Sequence, residues 1–113
     1  MMYSYWGEVD YKVNIMRGVI EVGTPSHGGI LVSPKLAEKY IPSAILEGIP
    51  LYNHYYSFEE DCNWAIPCYF IPNLLLNRIK ACNRAIPYDD YKELVLNSIK
   101  QWNSDCLQYC SAM

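Results

Sequence analysis

At 113 residues, 51% of them apolar, the chain has enough hydrophobic surface for one core and reads as a single domain over residues 1–113, not as a disordered segment. A net charge of −3 argues against the basic face that a nucleic-acid groove needs, and no apolar run approaches the roughly 18 residues of a membrane span, so neither partner is expected. Five cysteines without a Cys-x-x-Cys pair, and an N-terminus lacking a basic region followed by an apolar run, point to free thiols in a reducing cytoplasm.

In chain order, Val9, Tyr11, Val13 and Ile15 alternate with polar neighbours over 8–16, the period of a half-buried strand. Arg17-Gly18 marks a turn, Val19 to Val22 a second strand, and Ile30 to Val32 a third beyond the loop Gly23–Gly29. Ser33 before Pro34 predicts a capped helix that Pro42 ends, and residues 43–48 predict one more helical turn. Leu51 to Tyr56 reads as extended or irregular. Ser57 and Glu60 have capping-box spacing, which predicts a helix from Phe58 to at least Ala65 with Glu59, Glu60 and Asp61 in its first turn. Pro67 disturbs that helix, and Cys68 to Ile71 is either a kinked helical end or a short strand. A further helix is predicted over Leu74–Arg84. A last one begins near Asp89 or Asp90, with Tyr91, Leu94, Val95, Ile99 and Trp102 as its apolar stripe, and residues 104–113 either continue it or fray. The expected fold is α+β: a small N-terminal antiparallel sheet of about three strands packed against three to four helices. Trp6, Trp64 and Trp102 are expected in the core.

Two stretches carry the candidate chemistry. The first loop offers hydroxyls from Thr24 and Ser26, an imidazole from His27, and the permissive backbone of Gly28 and Gly29, which lets N–H groups approach an anion. It is not a P-loop, because no Gly-Lys-Ser/Thr follows and a strand comes next. Its plain alternative is a tight connection between strands. The second stretch, Ser57 to Ala65, brings together Glu59, Glu60, Asp61, Cys62, Asn63 and Trp64. The ligand-binding candidates are Thr24, Ser26, His27, Gly28, Gly29, Glu59, Asp61 and Trp64. The catalytic candidates are His27 with Glu60, Asp61 or Cys62, as an imidazole paired with a carboxylate or thiol. Against catalysis stand helix-start chemistry for the acids and a buried, inert Cys62. His27, His54 and Cys62 lack metal-ligand spacing, so neither metal nor cofactor is expected. Cys106 and Cys110 read as packing residues.

The segment Thr24-Pro25-Ser26-His27-Gly28-Gly29-Ile30, followed by Phe58-Glu59-Glu60-Asp61-Cys62-Asn63-Trp64-Ala65, resembles an uncharacterised family from bacteriophages, plasmids and related mobile elements. The family carries a Gly-or-Ser-His-Gly-Gly segment and an aromatic-Glu-Glu-Asp-Cys-x-Trp-Ala segment. Pro87-Tyr88-Asp89-Asp90-Tyr91-Lys92-Glu93 looks like a looser third motif, the family's Pro-Asp-x-Tyr-Glu-like ending, and the likeness covers roughly residues 20–95. The resemblance implies a small accessory protein in the host cell cytoplasm. Its expected mode is binding, either sequestering a nucleotide-like small molecule or inhibiting a host defence protein. The alternative is a small hydrolase or transferase using His27 with a carboxylate or Cys62, and a third reading has His27 bonded to a carboxylate as a structural clasp. Eleven tyrosines suit a recognition surface and are compatible with a homo-oligomer.

Overall fold

Backbone pairing, more than helix capping, decides the first half of the chain. The computed structural model describes residues 2–82 and 85–110. Strands β1 (Tyr3–Ser4) and β2 (Gly7–Glu8) form a small antiparallel hairpin. A five-stranded antiparallel sheet follows, from β3 (Tyr11–Met16), β4 (Val19–Gly23), β5 (Gly28–Val32), β6 (Leu51–Tyr52) and β7 (Tyr55–Glu59). Its spatial order is β3-β4-β5-β7-β6. The expectation of α+β holds, but the sheet is larger than the three strands predicted. The first predicted strand is also shorter, because Glu8 belongs to the hairpin opposite Tyr3.

Register fixes what each face carries. Val13, Glu21, Ile30 and Phe58 lie side by side across β3, β4, β5 and β7, while Lys12, Val22, Gly29 and Glu59 form the adjacent row on the opposite face. The first face feeds the core with Val19, Ile30, Val32 and Phe58, packed with Ala37, Ile66, Leu74, Val95 and Ile99 from the helices. These helices are α1 (Pro34–Tyr40), α2 (Ser43–Leu46), α3 (Ala65–Phe70), α4 (Leu74–Ala81) and α5 (Tyr88–Trp102), with a 3-10 helix over Ser104–Tyr109. Among the described residues none of them is long and apolar enough to cross a membrane.

The local reasons are visible residue by residue. Ser33 caps α1, its Oγ accepting from the Leu36 amide, with Pro34 in the first turn as expected. Asn53 and His54 join β6 to β7 as a two-residue turn in which both have positive φ, 50° and 71°; such a turn matches the twist of a hairpin. His54 is thus a turn residue.

The helix predicted from Phe58 does not form. Residues 55–59 are strand β7, hydrogen-bonded to β5 and β6, and the next helix starts only at Ala65. The capping box fails with it: the Glu60 amide donates to the Gly28 carbonyl, not to Ser57. The run Tyr55-Tyr56-Ser57-Phe58 has the aromatic content and alternation of a strand, and sheet pairing outweighs a two-residue capping signal. Pro67 then falls in the first turn of α3, where its missing N–H has no intrahelical partner to lose.

In α5 the inward stripe is Tyr91, Val95 and Ile99, whereas Leu94 and Trp102 point out, Trp102 at 58% exposure, so Trp102 is not a core residue. Trp6 and Trp64 are half-buried. Helix α4 is described to Ala81; the predicted continuation to Arg84 reaches Asn83 and Arg84, which lie outside the described residues, as do 111–113 of the predicted tail.

Candidate functional site

The two motif stretches meet at the end of the sheet. Strand β5 begins at Gly28 and β7 ends at Glu59, with Gly29 opposite Glu59, so the loop preceding one strand and the turn following the other are adjacent. His27 Nδ1 lies 3.8 Å from Glu59 Oε2, with the two side chains 49% and 34% exposed. The juxtaposition expected of His27 and the acidic stretch is present. It is a solvent-screened contact at an edge, beyond hydrogen-bonding distance and not a buried clasp.

Thr24 shapes the loop. Its amide and its hydroxyl both donate to the His27 carbonyl, at 2.7 Å each, and its Oγ1 accepts from the His27 amide at 3.1 Å. The turn therefore uses the Thr24 hydroxyl and two of the amides that a phosphate would need, and Pro25 has none. Gly28 and Gly29 lie within β5, so they serve the sheet and do not form a flexible cradle. A Cβ on Gly29 would strike the Phe58 carbonyl oxygen and lie 2.6 Å from the Trp6 ring. The bare glycine is what lets the indole of the N-terminal hairpin settle on that face. Ser26 is exposed at the loop tip.

On a strand, consecutive acids alternate in direction. Glu59 shares its face with Trp6 and Gly29, while Glu60 sits beside Gly28 on the other face, its Oε2 3.0 Å from where a Gly28 Cβ would be. There Glu60 adds to a local excess of negative charge. Desolvation first, then the Glu21 and Glu60 carboxylates, push the Tyr11 phenol above its ordinary range. Asp61 is exposed in the turn.

The turn itself is tightly held. Asn63 Oδ1 accepts from the Glu59 amide at 2.6 Å, and the Glu59 carbonyl accepts from the amides of Cys62, Asn63 and Trp64. The Cys62 carbonyl accepts from Asn103 Nδ2 at 2.7 Å, tying the turn to the end of α5, and Cys62 is half-buried with its thiol free of any disulfide. Trp64 points inward as an anchor. Its ring lies 5.1 Å from the Arg78 guanidinium and meets Tyr91 edge-on at 6.2 Å. Arg78 is buried, donating from Nε to Glu21 Oε1 at 2.6 Å and from a terminal nitrogen to the Tyr91 hydroxyl at 2.7 Å. Sequence reading missed this cluster. Its signals were an acid inside the apolar run Val19-Ile20-Glu21-Val22 and an arginine in the apolar helix Leu74–Ala81.

It also missed a cleft on the Glu59 face, about 120 Å³, between the hairpin residues Tyr5 and Trp6 and the wall formed by Pro50, Ser57, Glu59 and Asn63. No local pattern announces it, because the hairpin comes from the far end of the chain. Among the described residues no hydroxyl or thiol hydrogen-bonds to the His27 imidazole, and no three His, Cys, Asp or Glu side chains gather as metal ligands. The arrangement supplies acceptors, aromatic faces and a negative rim, which suits holding a donor group.

No curated protein and no solved structure matches the chain. A family model does match, over residues 1–112, and so takes in the hairpin and the C-terminal segment beyond the 20–95 range of the motif resemblance. The chain belongs to the family described as Domain of unknown function (DUF7007).

Proposed function

We propose that the protein acts by binding, as a small accessory protein of a phage or plasmid in the host cytoplasm, and that the edge around Glu59 engages a basic surface of a host protein. The observation that carries this reading is the exposed His27–Glu59 pair at the sheet end, flanked by exposed Glu60 and Asp61, with Tyr3 and Tyr5 on the neighbouring hairpin. Acidic groups interspersed with tyrosines suit a basic, hydrogen-bond-rich partner, and complementary charge speeds the encounter. The nucleotide reading is less favoured, since the loop amides of Thr24 and His27 are used within the turn and the carboxylates would repel phosphate. The hydrolase or transferase reading is less favoured because the nearest side chain to the imidazole is a carboxylate 3.8 Å away, and among the described residues no nucleophile is hydrogen-bonded to it.

Native mass spectrometry of the protein purified from host lysate tests this reading. The wild type should retain a protein partner, and the variant Glu59→Lys/Asp61→Lys should melt normally and lose it. Equal retention by both proteins, or retention of a nucleotide instead, contradicts the reading.

A further inference from the structure

The cleft beneath Trp6 contains a group that the fold leaves unsatisfied. Ser57 is 2% exposed and lines the cleft, and its Oγ has no hydrogen-bond partner among the described residues. A dry hydroxyl without a partner is unfavourable and marks a place where a further group belongs. Ser57 and Glu59 are two apart on β7, so both side chains emerge on the same face of the sheet. The Glu59 carboxylate forms part of the wall, and the turn that carries it is held by Asn63 Oδ1, which accepts from the Glu59 amide. Tyr5 and Trp6, edge to face with centroids 6.4 Å apart, close the remaining side with aromatic surface.

We propose that this cleft binds a primary ammonium group carried on a short aliphatic chain. The head brings one positive charge and three donors. One donor meets the Glu59 carboxylate, one meets Ser57 Oγ as that enclosed hydroxyl turns about χ1 toward the cleft, and the charge lies against the aromatic faces of Tyr5 and Trp6. The aliphatic stem packs on Pro50 and the rings. A volume of about 120 Å³ suits a compact head and the first carbons of its stem, and the carboxylate excludes anions. A quaternary ammonium has the charge without a donor for Ser57, and an alcohol has the donor without the charge. The proposal rests on the binding reading above, to which it adds the chemistry of the partner group: either a lysine side chain of the partner or a free aliphatic amine.

The test is a proton–nitrogen NMR titration of the full chain at constant ionic strength. The probes are n-butylammonium chloride, n-butanol, tetramethylammonium chloride and Nα-acetyl-lysine methylamide. Butylammonium should shift the signals of Trp6, Ser57, Glu59 and Asn63 saturably, with an affinity at least tenfold above those of butanol and tetramethylammonium. Ser57→Ala should weaken it several-fold without lowering the melting temperature, since the hydroxyl lost has no partner among the described residues. Glu59→Gln should abolish the preference for charge. Binding of the lysine derivative as tightly as butylammonium assigns the head to a partner's lysine, and its exclusion assigns it to a free amine; either supports the ammonium site. Equal shifts with butanol or tetramethylammonium, or an unchanged affinity in Ser57→Ala, overturn it. The two proposals fail separately: partner capture without butylammonium binding removes only the cleft, and butylammonium binding without any captured partner removes only the protein-binding edge.

Discussion

Replacing Glu21 with leucine should be among the most damaging single changes that leave the surface untouched. Arg78 would keep the Tyr91 hydroxyl and the Trp64 and Tyr91 rings, but lose its counter-charge at 2.6 Å while staying buried and charged. Breaking one side of a buried pair costs about 3–5 kcal/mol, and the surviving contacts place this case near the lower end, about 3 kcal/mol. For a chain of this length each kcal/mol moves the midpoint by about 4 °C, so Glu21→Leu should melt about 12 °C below wild type. The double variant Glu21→Leu/Arg78→Met removes both charges and should recover most of that loss. Urea unfolding followed by circular dichroism, with thermal melts alongside, measures both. A single variant within about 0.5 kcal/mol of wild type, or a double variant no more stable than the single, would refute the reasoning.

Other expectations concern the site and its supports. Gly29→Ala drives a methyl group into the Phe58 carbonyl and Trp6, and should cost about 1–3 kcal/mol in urea unfolding while altering Trp6 fluorescence. Asn63→Ala leaves the Glu59 amide without its 2.6 Å acceptor and should cost about 1–3 kcal/mol by the same assay. His27→Ala should cost less than about 1 kcal/mol, because both members of the His27–Glu59 contact are substantially exposed; a large fall in melting temperature would restore the structural clasp. Burial is the main cause that raises the Cys106 and Cys110 thiols above their ordinary value of 9.0, and Tyr11 is raised above 10.0. The unfolded chain therefore releases these protons first. Stability should be undiminished by these groups below about pH 9 and fall as pH climbs through the folded values, and urea midpoints between pH 8 and pH 11 would show it.

The parts of the fold carried by local signals were legible. Alternation from Tyr11 to Ile15 and the Arg17-Gly18 turn place β3 and β4, and Ser33-Pro34 places α1 to the residue. Tyr91, Val95 and Ile99 place the buried stripe of α5. The error at Phe58 has a definite cause. Ser57 and Glu60 carry a capping signal that competes with the aromatic, strand-like run Tyr55–Phe58, and the pairing that decides between them is with a strand some thirty residues earlier. The same long-range pairing is what makes the site half legible. His27 and Glu59 are adjacent because Gly29 faces Glu59 in register, so the expected contact forms, although between two strands and not against a helix start. The sequence offers Trp64 both as a ligand residue and as core; its place against Arg78 and Tyr91 makes it the anchor of the acidic turn. The Trp6 cleft could not be read, since it depends on a hairpin folding back across the sheet.

Hydrogen-exchange footprinting of the protein bound to its captured partner reports most directly on whether the Glu59 edge is the working surface. Complex formation should slow exchange in residues 3–6, 24–29 and 59–64 and leave α4 and α5 unchanged. Protection confined instead to the groove lined by Tyr69, Tyr88 and Lys92, with those three segments exchanging as in the free protein, would contradict it.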